Sequence, residues 1–147
     1  MIEVNDANWP LLEIRYEGLI DDEELDRYLT EHEALLAREE EHVALVDITQ
    51  SKIYSSTPRH VRRAAMWVAE QDAPIGSYCA GVAFLVRSAT QRALVRLILK
   101  LRPFAIPHVV YDDEALATAW LRERMKSLRR RPSQVTPEGV GLAEVPR

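Results

Sequence analysis

The residues best suited to chemistry lie in the stretch DITQSKIYSSTPRH, residues 47–60, between two strongly patterned segments. Ser56 and Thr57 carry hydroxyls, and Arg59 and His60 follow within one helical turn. Thr57-Pro58 has the form of a helix start: a hydroxyl to cap free N–H groups, then a proline where no N–H is needed. Helix N-termini attract anions, and ligands on α/β sheets collect outside the carboxyl ends of strands. Ser56, Thr57, Arg59 and His60 therefore form a candidate anion site, with Arg62 and Arg63 near enough in sequence to pair with a phosphate. A threonine cap in a polar loop is the plainer reading of the same residues.

The other reactive side chains make no catalytic or metal-binding pattern. His32, His42, His60 and His108 have neither His-x-x-x-His spacing nor a cysteine pair beside them. They are expected to be structural or surface histidines. Cys79 is the only cysteine, so no internal disulfide is expected. It fits a reducing compartment and reads as a small buried hydrophobe. The five glycines form no phosphate loop, and no Gly-x-Ser-x-Gly elbow occurs. The expectation is a protein that is not an enzyme and uses no cofactor or metal.

These residues must be positioned by a layered α/β domain. Residues 2–4 and 9–16 are short β-type runs joined by Asn5-Asp6-Ala7-Asn8, which predicts a hairpin. Leu12, Ile14 and Tyr16 alternate with Glu13 and Arg15, the mark of a strand with one wet face, and Gly18 ends it. Asp21 and Glu24 have capping-box spacing before a helix to about Arg38, whose apolar stripe is Leu25, Tyr28, Leu29, His32, Leu35 and Leu36. VALVDI at 43–48 is a β-branched run suited to a strand covered on both faces. A helix from Pro58, burying Val61, Ala64, Ala65 and Val68, is expected to end before Pro74-Ile75-Gly76. A strand at 82–86 follows, then a helix opened by Ser88 and Gln91 and stopped by Pro103. A last strand at 106–111 leads to a helix capped by Asp112 or Asp113. The order is ββαβαβαβα, a mixed, mainly parallel sheet with an N-terminal antiparallel hairpin.

Residues 1–127 are read as one domain, and 128–147, with no periodicity and much Pro and Gly, as a flexible or surface-draped tail. A formal net charge of -4 argues against a general nucleic-acid binder. The N-terminus lacks a signal-peptide pattern, and no apolar run approaches the ~20 residues that span a bilayer. A cytoplasmic protein without integral membrane association is expected.

The helix at 89–102 carries more apolar surface than a core face requires. Leu94, Leu97, Ile98 and Leu101 are assigned to the core; Val95 and Leu99 widen the arc by another ~100° at 100° per residue. Arg92, Arg96 and Lys100 border them at four-residue spacing. Val95, Leu99 and this basic stripe are a candidate interaction surface for a protein partner or a second copy of the chain, with deeper burial as the alternative.

The closing phrase VVYDDEALATAWL resembles the SpoIIAA-like branch of the STAS superfamily, the domains of sulfate transporters and anti-sigma factor antagonists. The matching features are an apolar strand, the acidic pair Asp112-Asp113, small residues from Ala115 to Ala117, and Ala119-Trp120-Leu121. The resemblance spans about residues 2–127 and implies a STAS-like fold and a non-catalytic regulatory or protein-interaction role. It also implies a phosphoacceptor at a helix start: Asp47-Ile48-Thr49 and Ser55-Ser56-Thr57-Pro58 fall where antagonists resemble Asp-Leu-Ser and Asp-Ser-Ser-Gly. Ser55, Thr57 and Pro58 depart from that pattern, and proline changes the backbone a kinase would meet. For the helix at 89–102, a likeness to Sec14-type domains implies shallow contact with a membrane or lipid as a further option. The alternative function is small-molecule or lipid binding at the strand-end loop and an apolar groove.

Overall fold

The computed structural model describes residues 1–52, 58–101, 103 and 105–130. Five strands form one sheet in the order β1-β2-β3-β4-β5: β1 (Ile2–Asn5), β2 (Leu11–Gly18), β3 (His42–Ser51), β4 (Cys79–Leu85) and β5 (His108–Tyr111). β1 and β2 are the antiparallel hairpin, and β2 to β5 run parallel. Gly18 closes β2 at φ +66°, a left-handed conformation that glycine adopts without strain.

The helices are α1 (Asp22–Leu36), α2 (Pro58–Glu70), α3 (Asp72–Tyr78), α4 (Ala89–Leu101) and α5 (Glu114–Arg130). The expected order therefore holds with one addition. The short helix α3 includes Pro74-Ile75-Gly76, the segment expected to break regularity. Pro74 sits in the first turn of α3, where its missing N–H removes no intrahelical bond. Asp21 accepts from the Glu24 N–H at 2.8 Å and caps α1, and Asp113 rather than Asp112 caps α5.

Each parallel crossover steps one strand in the same direction. Connections of one hand then bring α1 to α4 onto one face of the sheet, and α5 folds back over the other. On the first face Leu25, Tyr28, Leu29, Trp67 and Ile75 meet Leu12, Ile14, Ala44 and Val82. On the second, Ala117 and Leu121 of α5 seal Val43, Leu45, Ala80, Ala83 and Leu85. Burying one Leu or Ile side chain contributes about 1.5–3 kcal/mol, so both faces are needed to hold β3 and β4.

The α5 face depends on close approach. Gly81 of β4 shares the α5 face with Ala83, two residues on, beside the β3/β4 register shift between His42 and Ala44. A Cβ on Gly81 would lie 3.0 Å from Cη2 of Trp120 and 3.0 Å from Cγ of Arg124. Arg124 Nε donates to the Ala80 carbonyl at 3.0 Å, so the helix is fastened by packing and a hydrogen bond together.

Candidate functional site

The other face is not filled. A cavity of 190 Å³ lies between the sheet and the helices α1, α2 and α4. Its floor is Ile14 and Tyr16 of β2, Ala44, Val46 and Ile48 of β3, and Val82 and Phe84 of β4. Alternation along the strands places these side chains on one face. The walls are Leu25, Tyr28, Leu29 and His32 from α1, Val61, Ala64, Trp67 and Val68 from α2, and Leu94, Val95, Ile98 and Leu99 from α4. Small residues at Ala44 and Ala64 leave the space open. Among the described residues, no Asp, Glu, Lys or Arg lines it.

The α4 edge is held by Gln91, which is buried. Its Nε2 donates to the Ile48 carbonyl at 2.9 Å, and its Oε1 accepts from the Arg87 N–H at 2.6 Å. The Gln91 N–H is in turn capped by Ser88 Oγ at 3.2 Å, so the expected capping pair also docks the helix onto the end of β3.

A small polar group interrupts the apolar wall. Tyr28 Oη lies 3.0 Å from Nδ1 of His32, whose ring packs on Trp67 with centroids 4.8 Å apart. Trp67 Nε1 donates outward to Glu33 at 2.9 Å, and Tyr16 meets Tyr28 edge-on at 5.7 Å. His42 is 2% exposed, stacks on Trp9 at 5.0 Å, and has Nδ1 3.0 Å from the Glu40 carbonyl. Burial governs the acid–base behaviour of all of them. It holds His32 down to about 3, reinforced by His42, and lowers His42, with Arg38 adding to the effect against the Glu40 bond. It pushes the Tyr16 hydroxyl up to about 12 against the opposing effect of Tyr28, raises Tyr28 as well, and lifts the Cys79 thiol to about 11. At neutral pH these groups are all uncharged, which suits an apolar occupant.

The anticipated site residues fare unequally. Ser56 and Thr57 lie outside the described residues. Arg59 and His60 both engage Asp22 at the head of α1, at 2.8 Å and 2.6 Å, and Arg63 reaches Asp26 at 3.3 Å. These contacts tie α2 to α1 across the cavity.

On α4 the expected interaction surface is corrected. Val95 is 5% exposed, packs with Ile48 and Val86, and lines the cavity; Leu99 packs on the same cluster. Leu97 and Leu101, assigned above to the core, are 47% and 49% exposed. The inward face of α4 is centred on Gln91 and Val95, rotated from the expected arc because a polar residue, Gln91, docks the helix. Arg96 and Lys100 are exposed, while Arg92 reaches the Val110 carbonyl at 3.3 Å. Periodicity does not announce the cavity's polar group: Tyr28 and His32 fit the apolar stripe of α1 like any core residues, and Trp67 lies outside the expected buried face of α2.

No protein-family profile matches the chain, and no curated protein does. Among solved structures, the chain is similar to an uncharacterised protein of the DUF3478 family from Shewanella loihica PV-4, which has a SpoIIAA-like fold. The two superpose with a TM-score of 0.61 at 18% identity, over 82% of this chain and 92% of that one. The fold is SpoIIAA-like. Within the SpoIIAA-like fold of this chain, no helix among the described residues is long and apolar enough to cross a membrane.

Proposed function

We propose that this protein is a non-catalytic binding module that takes a small apolar ligand between its sheet and the helices α1, α2 and α4. The observation that carries this reading is the 190 Å³ cavity, lined among the described residues by no Asp, Glu, Lys or Arg. Left empty, a void of this size costs roughly 4–5 kcal/mol relative to a filled core, at about 24 cal/mol per Å³. Buried groups held neutral at physiological pH support binding over acid–base catalysis.

A thermal-shift and native mass spectrometry screen of neutral apolar compounds tests it. Compounds that fit should raise the melting temperature and give a one-to-one adduct. Ala64→Leu, which grows into the cavity, should abolish both effects while keeping the fold. If no compound stabilises the protein, or Ala64→Leu binds as well as the wild type, the reading fails.

A second reading, a partner or self-association surface, is favoured by Leu97 and Leu101 on α4 and by Met66, 57% exposed, on the adjoining helix α2. The exposed Arg96 and Lys100 make this surface suited to an acidic partner.

A further inference from the structure

The cavity contains an acceptor that the described residues do not satisfy. His42 lines it, buried from solvent, and its Nδ1 lies 3.0 Å from the Glu40 carbonyl. A carbonyl only accepts, so Nδ1 carries the proton and Nε2 of the neutral ring presents a bare lone pair. No hydrogen bond reaches that nitrogen from the described residues. The nearest candidate by register, Cys79 on β4, directs its thiol to the Gly81 carbonyl at 3.5 Å. Nε2 of His32 is likewise unpartnered among the described residues, since Tyr28 occupies Nδ1. Buried polar atoms without partners are uncommon, and in a cavity they mark where a ligand or water must bond.

The cavity also sets size and charge. An apolar cavity of ~150 Å³ takes up benzene, so this one of 190 Å³ holds a ligand of roughly eight non-hydrogen atoms, or one slightly larger if its walls yield. A carboxylate would enter a lining in which the described residues place no Lys or Arg, and would lose its hydration uncompensated. Resting on the binding reading above, we infer that the ligand is a neutral, compact apolar molecule whose hydroxyl donates a hydrogen bond to Nε2 of His42. The chemical class is that of alkylphenols and medium-chain alcohols. Fatty acids and long acyl lipids are excluded from it.

Three probes of matched size separate the possibilities: 4-ethylphenol, propylbenzene and 4-methylbenzoate, titrated by calorimetry. With an acceptor waiting, 4-ethylphenol binds at least as tightly as propylbenzene, and 4-methylbenzoate does not bind measurably. Without one, the buried hydroxyl weakens binding by about tenfold or more. In His42→Phe, which keeps an aromatic ring against Trp9, 4-ethylphenol should weaken by about tenfold relative to propylbenzene. A direct readout on wild-type protein guards against a misfolded variant: the nitrogen NMR resonance of His42 Nε2 should move on adding 4-ethylphenol and stay put with propylbenzene. If 4-ethylphenol binds more weakly than propylbenzene, or 4-methylbenzoate binds best, or the His42 resonance ignores the hydroxyl, the inference is overturned although the cavity still binds. If none of the three binds, the binding reading itself has failed.

Discussion

The two faces of the sheet solve the same burial problem differently. On one face a single helix, α5, lies close because small residues permit it: Ala83 and Ala117 are fully buried, and Gly81 leaves room for the Trp120 ring. On the other, several helices share the cover and touch at their edges, and small residues at Ala44 and Ala64 leave a cavity beneath them instead of a contact. Small side chains therefore have opposite consequences. Under one helix they draw the layers together; beneath several, each fixed by its own partners, they leave space.

Several substitutions would sharpen or break that contrast. The largest effect is expected on the filled face: Leu121→Ala should cost about 2–5 kcal/mol, measured by urea denaturation, because α5 is held rigidly and cannot collapse into the gap. A loss below ~1 kcal/mol would show that the α5 face is as loose as the other. On the cavity face, acid should have the next largest effect. His32 has a folded-state value of about 3 against an ordinary 6.5, so the unfolded chain binds its proton first as pH falls. Its stabilising contribution is complete above about pH 6.5 and shrinks toward pH 3, amounting to about 2 kcal/mol lost between pH 7 and pH 5. His32→Phe should remove that part of the pH dependence; an unchanged slope would mean that the ring is not held neutral by the fold.

Gly81→Ala is expected to destabilise by about 1–3 kcal/mol, since the added methyl meets Trp120 and Arg124 at 3.0 Å. Ala64→Leu, which adds three carbons to the cavity face, should stay within about 1 kcal/mol of wild type or exceed it. A melting-temperature comparison of these two variants tests the contrast directly. The smallest change in stability, within about 0.5 kcal/mol, is expected for Leu97→Gln with Leu101→Gln. Loss of self-association in that double variant, followed by sedimentation, would support the partner reading, and a monomeric wild type would remove the self-association part of it.

Much of the architecture was legible along the chain because local rules and global packing agree. The alternation in β2, the Asp21 cap, the β-branched run of β3 and the small-residue start of α5 each point to the element that forms. Where local signals conflict, tertiary packing decides between them. Pro74 and Gly76 resemble a break but sit inside α3, because a first-turn proline sacrifices nothing. On α4 every third or fourth residue is apolar over most of the circumference, so periodicity could not choose its inward side. Gln91 chose it, through hydrogen bonds to β3 carbonyls that no sequence pattern announces.

The sequence by itself determined the order of elements, the hairpin, the parallel crossovers and the absence of a recognisable catalytic motif, because propensity, capping and period are local properties. Only the tertiary structure decided that α1 to α4 leave a void, that Val95 and not Leu97 faces it, and that Nε2 of His42 receives no hydrogen bond from the described residues. Those facts depend on distances between residues far apart in the chain, and volume left unfilled has no residue of its own to signal it.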